Sequence, residues 1–318
     1  MQNRFRSPAF GALGAILLSG LVVMVSVGVS VVASASPSRN GGPKAPGPAA
    51  TAALVVNDLD NGATANGLAQ TLAGAGVTIS NVTHTGTNNS FGSFSGGTGN
   101  IGFESGVVMG SGSVQTTAAH PAPCEKGVEG PNECDGNTTE NGTAGDSQLT
   151  ALAGFPTHDA AVLEFDFVPT HDTVVFNYVF SSDEYNEFAN TQFNDVFAFY
   201  VNGVNCALVP GTSSPVSINT INGGHPLGTN PQHPEFYVNN DGGALNTEMD
   251  GLTTVLSCTA SVNANQTNHM KLAIADGSDE QLDSNVFIQA GSLVSPPPTT
   301  TTTTTTTPAV ITQPTFTG

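Results

Sequence analysis

The sequence predicts a mainly all-β protein, an antiparallel two-sheet β-sandwich of jelly-roll-like type with one short N-terminal helix. Three observations predict it. Apolar segments are short and several alternate at period two: in Ala161–Val168 (AVLEFDFV), Leu163, Phe165 and Phe167 oppose Glu164 and Asp166. Turn dipeptides such as Asn202-Gly203, Asn222-Gly223 and Asp241-Gly242 punctuate them. Helical periodicity is scarce. No Trp is present, so the core must come from Phe, Val, Leu and Ile.

Residues 1–35 read as a secretory signal peptide. Arg4 and Arg6 precede an apolar run from Phe10 to Val32, and the small residues Ala33-Ser34-Ala35 follow. The run is also long enough for a membrane anchor, but its Gly and Ser content and the small-residue site favour removal. Residues 36–50, rich in Pro, Gly, Ala and Ser, form a flexible linker. The globular part is 51–295, enough for one large β domain. Within it, Thr64–Ala75 repeats Leu68 and Leu72 at helical spacing and predicts the helix, followed by a strand over Val77–Val82. Ala161–Val168 is a half-buried strand with one wet face. Thr173–Phe180 is apolar on both faces apart from Asn177 and reads as a central strand, as does Val196–Val201. Val216–Ile218, Thr253–Ser257, Met270–Ala275 and Val286–Ala290 supply further short strands. Residues 296–318 form a Pro/Thr-rich low-complexity tail, a spacer suited to O-linked sugar.

There are 25 acidic and 6 basic residues. Loss of the signal removes Arg4 and Arg6 and leaves a net charge near −21. Such a surface repels nucleic acid, whose phosphates need clustered Lys and Arg, and attracts cations. Four cysteines in an exported chain point to disulfides. Of three connectivities, Cys124–Cys134 and Cys206–Cys258 is the natural one: the first pair closes a short loop and the second lies in two strand-like segments. Zinc is disfavoured because no CxxC spacing occurs.

The segments SGVVMGSG (105–112), FSSDEYNEFANTQFNDVFAFYVNG (180–203), LVPGTSSPVSINTINGG (208–224), FYVNND (236–241), EMDGLTTVLSC (248–258) and HMKLAIADGSDEQLDSNVFIQAGSL (269–293) occur in this order. As an ordered set they resemble the choice-of-anchor L family of bacterial surface domains, over about 60–295. The resemblance implies an exported or cell-surface β-rich domain, joined in different proteins to different C-terminal anchors, with no enzymatic activity attached to the class. Here residues 313–318 lack the apolar helix and basic tail of a sorting signal. A fragment and a released protein both fit that ending.

Two acidic clusters point to Ca²⁺, which takes six to eight oxygen ligands, carboxylates among them. Asp183, Glu184, Asn194 and Asp195 precede the strand Val196–Val201, and Asp276, Asp279, Glu280 and Asp283 follow Met270–Ala275. The preferred ligands are Asp183, Asp195, Asp276 and Asp283. The two loops could share one site if their strands are neighbours. The second cluster lacks EF-hand spacing. A competing reading makes these side chains loop caps on backbone N–H groups. Glu187 is expected to face solvent and Phe188 the core. Carboxylate pairs for glycoside hydrolysis would be Asp183 with Glu184 or Glu164 with Asp166. Adjacent strand residues point to opposite faces, which disfavours the first, and without Trp a sugar cleft lacks its strongest platform. The seven histidines form no HExxH, no GxSxG is present, and His225 and His233 read as exposed loop residues. Sequons at Asn81, Asn137, Asn141 and Asn265 are chance in so Asn/Thr-rich a chain.

The expected protein is thus extracellular, secreted or associated with the cell envelope. It is non-catalytic, serves adhesion, matrix assembly or binding of an extracellular ligand, and has loops stabilised by calcium. Its partner would be a cell-surface or matrix component, a glycan among the possibilities, and membrane contact would come only through the export signal or a C-terminal anchor. The alternative is an extracellular carbohydrate-active enzyme or carbohydrate-binding module using the loop carboxylates.

Overall fold

In the computed structural model, residues 53–118, 138–241 and 244–298 are described. The period-two segments become strands, numbered β1–β13 in chain order, and these form two antiparallel sheets. The first sheet runs β1 (Val55–Asp58), β3 (Phe91–Ser95), β4 (Ser105–Gly110), β13 (Ser284–Gln289), β6 (Thr173–Ser182), β10 (Gly251–Thr253) and β9 (Tyr237–Asn239). β11 (Leu256–Ser261) pairs with the same edge of β6 below β10. The second sheet runs β2 (Val77–Thr85), β5 (Thr157–Pro169), β12 (Asn268–Gly277), β7 (Val196–Val201) and β8 (Val204–Asn205).

The main core lies between the sheets. Leu163, Phe165 and Phe167 of β5 and Met270, Leu272 and Ile274 of β12 meet Phe176, Tyr178 and Phe180 of β6 and Phe197 and Phe199 of β7. Phe176 contacts Phe199 at 5.1 Å between ring centroids, and Phe180 stacks on Phe197 at 5.0 Å. Offset and edge-on ring pairs of this kind add to the burial of their area. Glu164 and Asp166 alternate with the buried residues on the wetter face of β5, as period two requires. β6 is a central strand, flanked by β13 on one side and β10 and β11 on the other.

Helix α1 (Ala65–Leu72) begins where Thr64 accepts the Gly67 N–H at 3.0 Å and buries Leu68 and Leu72. A second helix, α2 (Ser147–Ala153), corrects the expectation of a single one. Asp146 caps it, accepting the N–H groups of Gln148 and Leu149 at 3.0 and 3.1 Å. Its one deeply buried side chain, Leu149, covers the outer face of the second sheet, too little apolar repeat to mark a helix in sequence. The strand expected over Thr253–Ser257 is interrupted: β10 leaves the ladder and the Thr253 hydroxyl, not a backbone carbonyl, takes the Phe180 N–H at 3.1 Å. Val216–Ile218 makes a single isolated bridge, Ser217 to Val196. Strand β1, only four residues long, and β3 and β4, rich in Gly and Ser, are additional to the expected strands.

A disulfide joins Cys206, just after β8, to the buried Cys258 of β11, with 5.2 Å between their Cα atoms. It therefore ties the second sheet to the first. Cys124, Cys134, the signal, the linker and most of the tail lie outside the described residues. The loop closed spans 52 residues, so the chain-entropy model assigns about 4 kcal/mol to this link.

Two outcomes test this core. Phe176→Ala or Phe197→Ala should lower unfolding free energy by about 3–5 kcal/mol in denaturant titration; a near-neutral effect would overturn the placement. Non-reducing peptide mapping should recover the Cys206–Cys258 peptide, and replacing both by Ser should cost about 2–5 kcal/mol.

Candidate metal centre

At one end of the sandwich β6 and β12 terminate and β7 and β13 begin. The β6–β7 and β12–β13 connections both cross there from one sheet to the other. Along β12 the core-facing side chains are Met270, Leu272 and Ile274, and the next position of that series is Asp276. Asp195 stands in the same relation to Phe197, Ser182 to Phe180, Ser284 to Val286, and Ser111 to Met109. The apolar interior thus ends in a layer of two carboxylates and three hydroxyls. Asp183, Glu184 and Asp283 adjoin it, and Asp159, Asp183, Glu184, Asp195, Asp276 and Asp283 are each no more than 2% exposed.

Backbone geometry gathers these groups. A β-bulge in β5, between the pairs Ile274–Ala161 and Asp276–His158, holds Asp159 at φ 47°. The Asp183 N–H donates to the Asp283 carbonyl at 3.2 Å and locks the two crossover loops together. Asp195 Oδ1 accepts the Gly277 N–H at 2.9 Å, and its Oδ2 accepts the Ser284 hydroxyl at 2.6 Å. Asp283 Oδ1 accepts the Thr139 N–H at 3.1 Å. Its Oδ2 lies against Gly112, where a Cβ would come within 1.9 Å of it, so only Gly fits. Asp159 is satisfied by the N–H groups of Asn141, Gly142 and Thr143.

Other oxygens are left over. Among the described residues, both carboxylate oxygens of Asp276, Asp283 Oδ2 and Glu184 Oε2 are buried without a hydrogen-bond partner. The only Lys or Arg in the described residues, Lys271, is committed elsewhere: its Nζ lies 2.7 Å from Asp146 and 2.8 Å from the Gln148 side-chain oxygen. Burial first, then mutual repulsion, raises the carboxyls. Glu184 is pushed up to about 9 by burial and by Asp195, Asp279 and Asp183. Asp195 reaches about 8 through burial, partly offset by its bonds to Ser284 and Gly277. Asp283 reaches about 7, mainly through burial. Asp276 rises well above the usual range, first through burial and then through the neighbouring Asp195.

Of the expected ligands, Asp183, Glu184, Asp195, Asp276 and Asp283 are brought together, and Asp279 sits half-buried at the rim within range of Glu184 and Asp195. Asn194 is turned away: its side-chain oxygen accepts the Asn219 N–H at 2.8 Å. Asp159 was missed, because a carboxylate 24 residues or more from either cluster carries no local signal. Among the described residues no three His, Cys, Asp or Glu side chains stand in a ligating arrangement as they lie. The carboxylates are within electrostatic range, and closing a coordination shell would take side-chain adjustment.

A family model described as the choice-of-anchor L domain matches residues 55–294. The chain belongs to the choice-of-anchor L family. Membership points to a bacterial surface or exported module, and the family is not one of enzymes. No curated protein and no solved structure matches the chain. No helix among the described residues is long and apolar enough to cross a membrane.

Elsewhere on this choice-of-anchor L domain, the second carboxylate pair is occupied. Glu164 and Asp166 hold His269 between them, at 3.3 Å from Nε2 and 3.0 Å from Nδ1. Asp166 chiefly, with Glu164, raises the imidazole pKa. Glu187 is exposed and Phe188 only half-buried, against Phe193. His225 and His233 lie in the 217–236 loop, and His233 contacts Glu235 at 3.3 Å.

The raised carboxyls fix a sign. Their folded values, about 7 to 9, exceed the unfolded carboxyl range near 4. Their contribution to stability is therefore full at acid pH and is lost as pH rises through the folded values. In chelator, the melting temperature should fall between about pH 5 and pH 9; a flat or rising profile would contradict the burial of these groups. Gly112→Ala should destabilise by about 1–3 kcal/mol, since Asp283 must give way.

Proposed function

We propose that this domain is a non-catalytic extracellular module, for adhesion or ligand binding, whose crossover loops are pinned by bound Ca²⁺. The observation that carries the metal is Asp276, fully buried at the end of the core with both oxygens unpartnered and Asp195, Asp283 and Asp159 as the charges acting on it. Burying an unpaired carboxylate costs several kcal/mol. A hard divalent cation removes that cost and takes oxygen ligands of this kind. Main-chain carbonyls and water would complete the shell. The function as a surface module rests on family membership together with the acidic, loop-rich surface. Ordering the loops by a cation would prepare one end of the sandwich to receive a cell-surface, matrix or glycan partner.

The test is thermal unfolding of chelator-stripped protein titrated with Ca²⁺ or Mg²⁺. Ca²⁺ at about 100 times its Kd should stabilise by about 2.7 kcal/mol, Mg²⁺ by less. The protection should fade near pH 5, where protons compete for the ligands. Asp276→Asn should abolish the Ca²⁺ shift while leaving the stripped protein equally or more stable, because it removes a buried charge at constant volume. No shift at millimolar Ca²⁺ would return these acids to loop capping.

A further inference from the structure

We propose that β11 is a docking edge for a second copy of this chain, which pairs with it antiparallel through the backbone. An open sheet edge is a template for another strand, and folds blunt it with short strands, bulges, charges or Pro. The other edges described here are blunted. β8 has two residues, β9 three and β1 four, and β2 shifts register between Ser80 and Thr83 with Asn81 at φ 52°. β11 has six residues, Leu256–Ser261, in unbroken register with β6 and free of charge and Pro. Among the described residues it pairs with β6 alone. The far side of β6 shows where the open side of β11 points. Val175 exchanges both backbone bonds with Val294, the Asn177 N–H donates to Ser292 Oγ, and the Thr173 carbonyl accepts from Ser295 Oγ. The N–H and C=O of one strand residue point the same way. The residues opposite these three, Thr259, Ser257 and Ser261, therefore direct their backbone groups outward. All three are exposed, and Cys258 among them is fixed by its disulfide.

Charge and the sequence of the edge select the occupant. The chain has a formal net charge of −19, so copies repel one another except across a neutral seam. Residues 251–268 contain no Asp, Glu, Lys, Arg or His, and neither does β6. About a two-fold axis at Thr259 the strand meets its own reverse. Thr259 then faces Thr259, and Ser257 faces Ser261, hydroxyl pairs that suit an antiparallel register. Asp172, at the foot of β6, comes beside the uncharged head of the other β11. Val255, an exposed apolar side chain at that head, gains cover.

The same pairing sets orientation. β6 runs toward the acidic end and β11 away from it, so paired copies hold their acidic ends opposite. The described chain enters at Val55, paired with Ser95 at the end of β3 far from the acids. It leaves by Ser295, bonded to His171 and Thr173 where β6 begins. The segments that flank the domain therefore depart from the two copies in opposite directions. That geometry joins molecules held on facing surfaces, and it deepens the surface-module reading to self-adhesion. It rests on that reading and not on the cation.

The experiment is analytical ultracentrifugation of the exported chain over a range of concentrations, in chelator and in Ca²⁺. The expected result is a monomer–dimer equilibrium that Ca²⁺ leaves unchanged, since the seam lies away from the acids. Thr259→Pro deletes an outward N–H, and Thr259→Asp sets like charges at the two-fold axis. Each should weaken the dimer at least tenfold, with circular dichroism and melting showing the fold retained; Thr259→Asp decides if Thr259→Pro fails to fold. Exchange of the Ser257, Thr259 and Ser261 amides should slow as protein concentration rises. Beads coated with the protein should clump, and beads carrying Thr259→Asp should not. A monomer up to millimolar concentration, or a dimer that neither change weakens, overturns the proposal. A dimer weakened by both changes on beads that stay dispersed keeps the seam and overturns self-adhesion. Surface labelling of the expressing bacterium tests the module reading separately, and absence of label there sinks that reading whatever the oligomeric state.

Discussion

The rest of this structure depends on how a β-sandwich ends its core. Between the two sheets the inward positions are filled by aromatic and aliphatic side chains until the last layer, where Asp195 and Asp276 replace them. Carboxylates there lose water, and among the described residues no cationic side chain compensates them; transfer of such a group out of water is among the largest unfavourable contributions a fold can carry. The surroundings respond to that one constraint. Serines line the layer, backbone N–H groups of Gly277 and Thr139 point into it, and the lack of a side chain at Gly112 leaves room for Asp283. These contacts satisfy some of the oxygens and leave others, and the remainder is what a bound cation would answer.

The two ends of the sandwich are held by different chemistry. Below, Cys206 and Cys258 fasten the edge strand region of one sheet to β11 of the other by a covalent bond suited to an oxidising compartment. Above, the sheets are joined near the acids by the crossover loops, tied by the Asp183–Asp283 backbone bond, and by the Ser284 hydroxyl on Asp195. The β6–β7 loop is further anchored by Tyr185, whose hydroxyl donates to the Ile221 carbonyl at 2.7 Å, and by Asn194 on Asn219. An end built this way is rigid where it meets the long 217–236 loop and electrostatically strained at its centre.

Legibility in the sequence followed the range of the interactions involved. The strands Val196–Val201 and Thr173–Ser182 were readable because their apolar character is local and continuous. The helix at Ala65–Leu72 was readable from Leu68 and Leu72 one turn apart. Helix α2 was not, since its stability comes from the Asp146 cap and from Leu149 packing on a sheet formed far away in the chain. Strands β3 and β4 were not legible because glycine and serine carry little strand propensity, and β1 because it is only four residues long; their pairing partners supply the order.

For the acidic site the division is sharper. The sequence by itself determined that carboxylates would crowd two loops beside strand ends, that few cations would be available to match them, and that Cys206 and Cys258 could meet. Those are matters of composition and of short-range order. Only the tertiary structure decided that both loops cross between the sheets at the same end and that Asp276 and Asp195 occupy core-facing positions. It likewise brought Asp159 in through a β-bulge and turned Asn194 outward to Asn219. The physical reason is that burial and convergence are set by strand order and register, which pair residues 80 or more positions apart, as Gly277 with Asp195. A local motif fixes what a side chain is, and the fold fixes whether water reaches it.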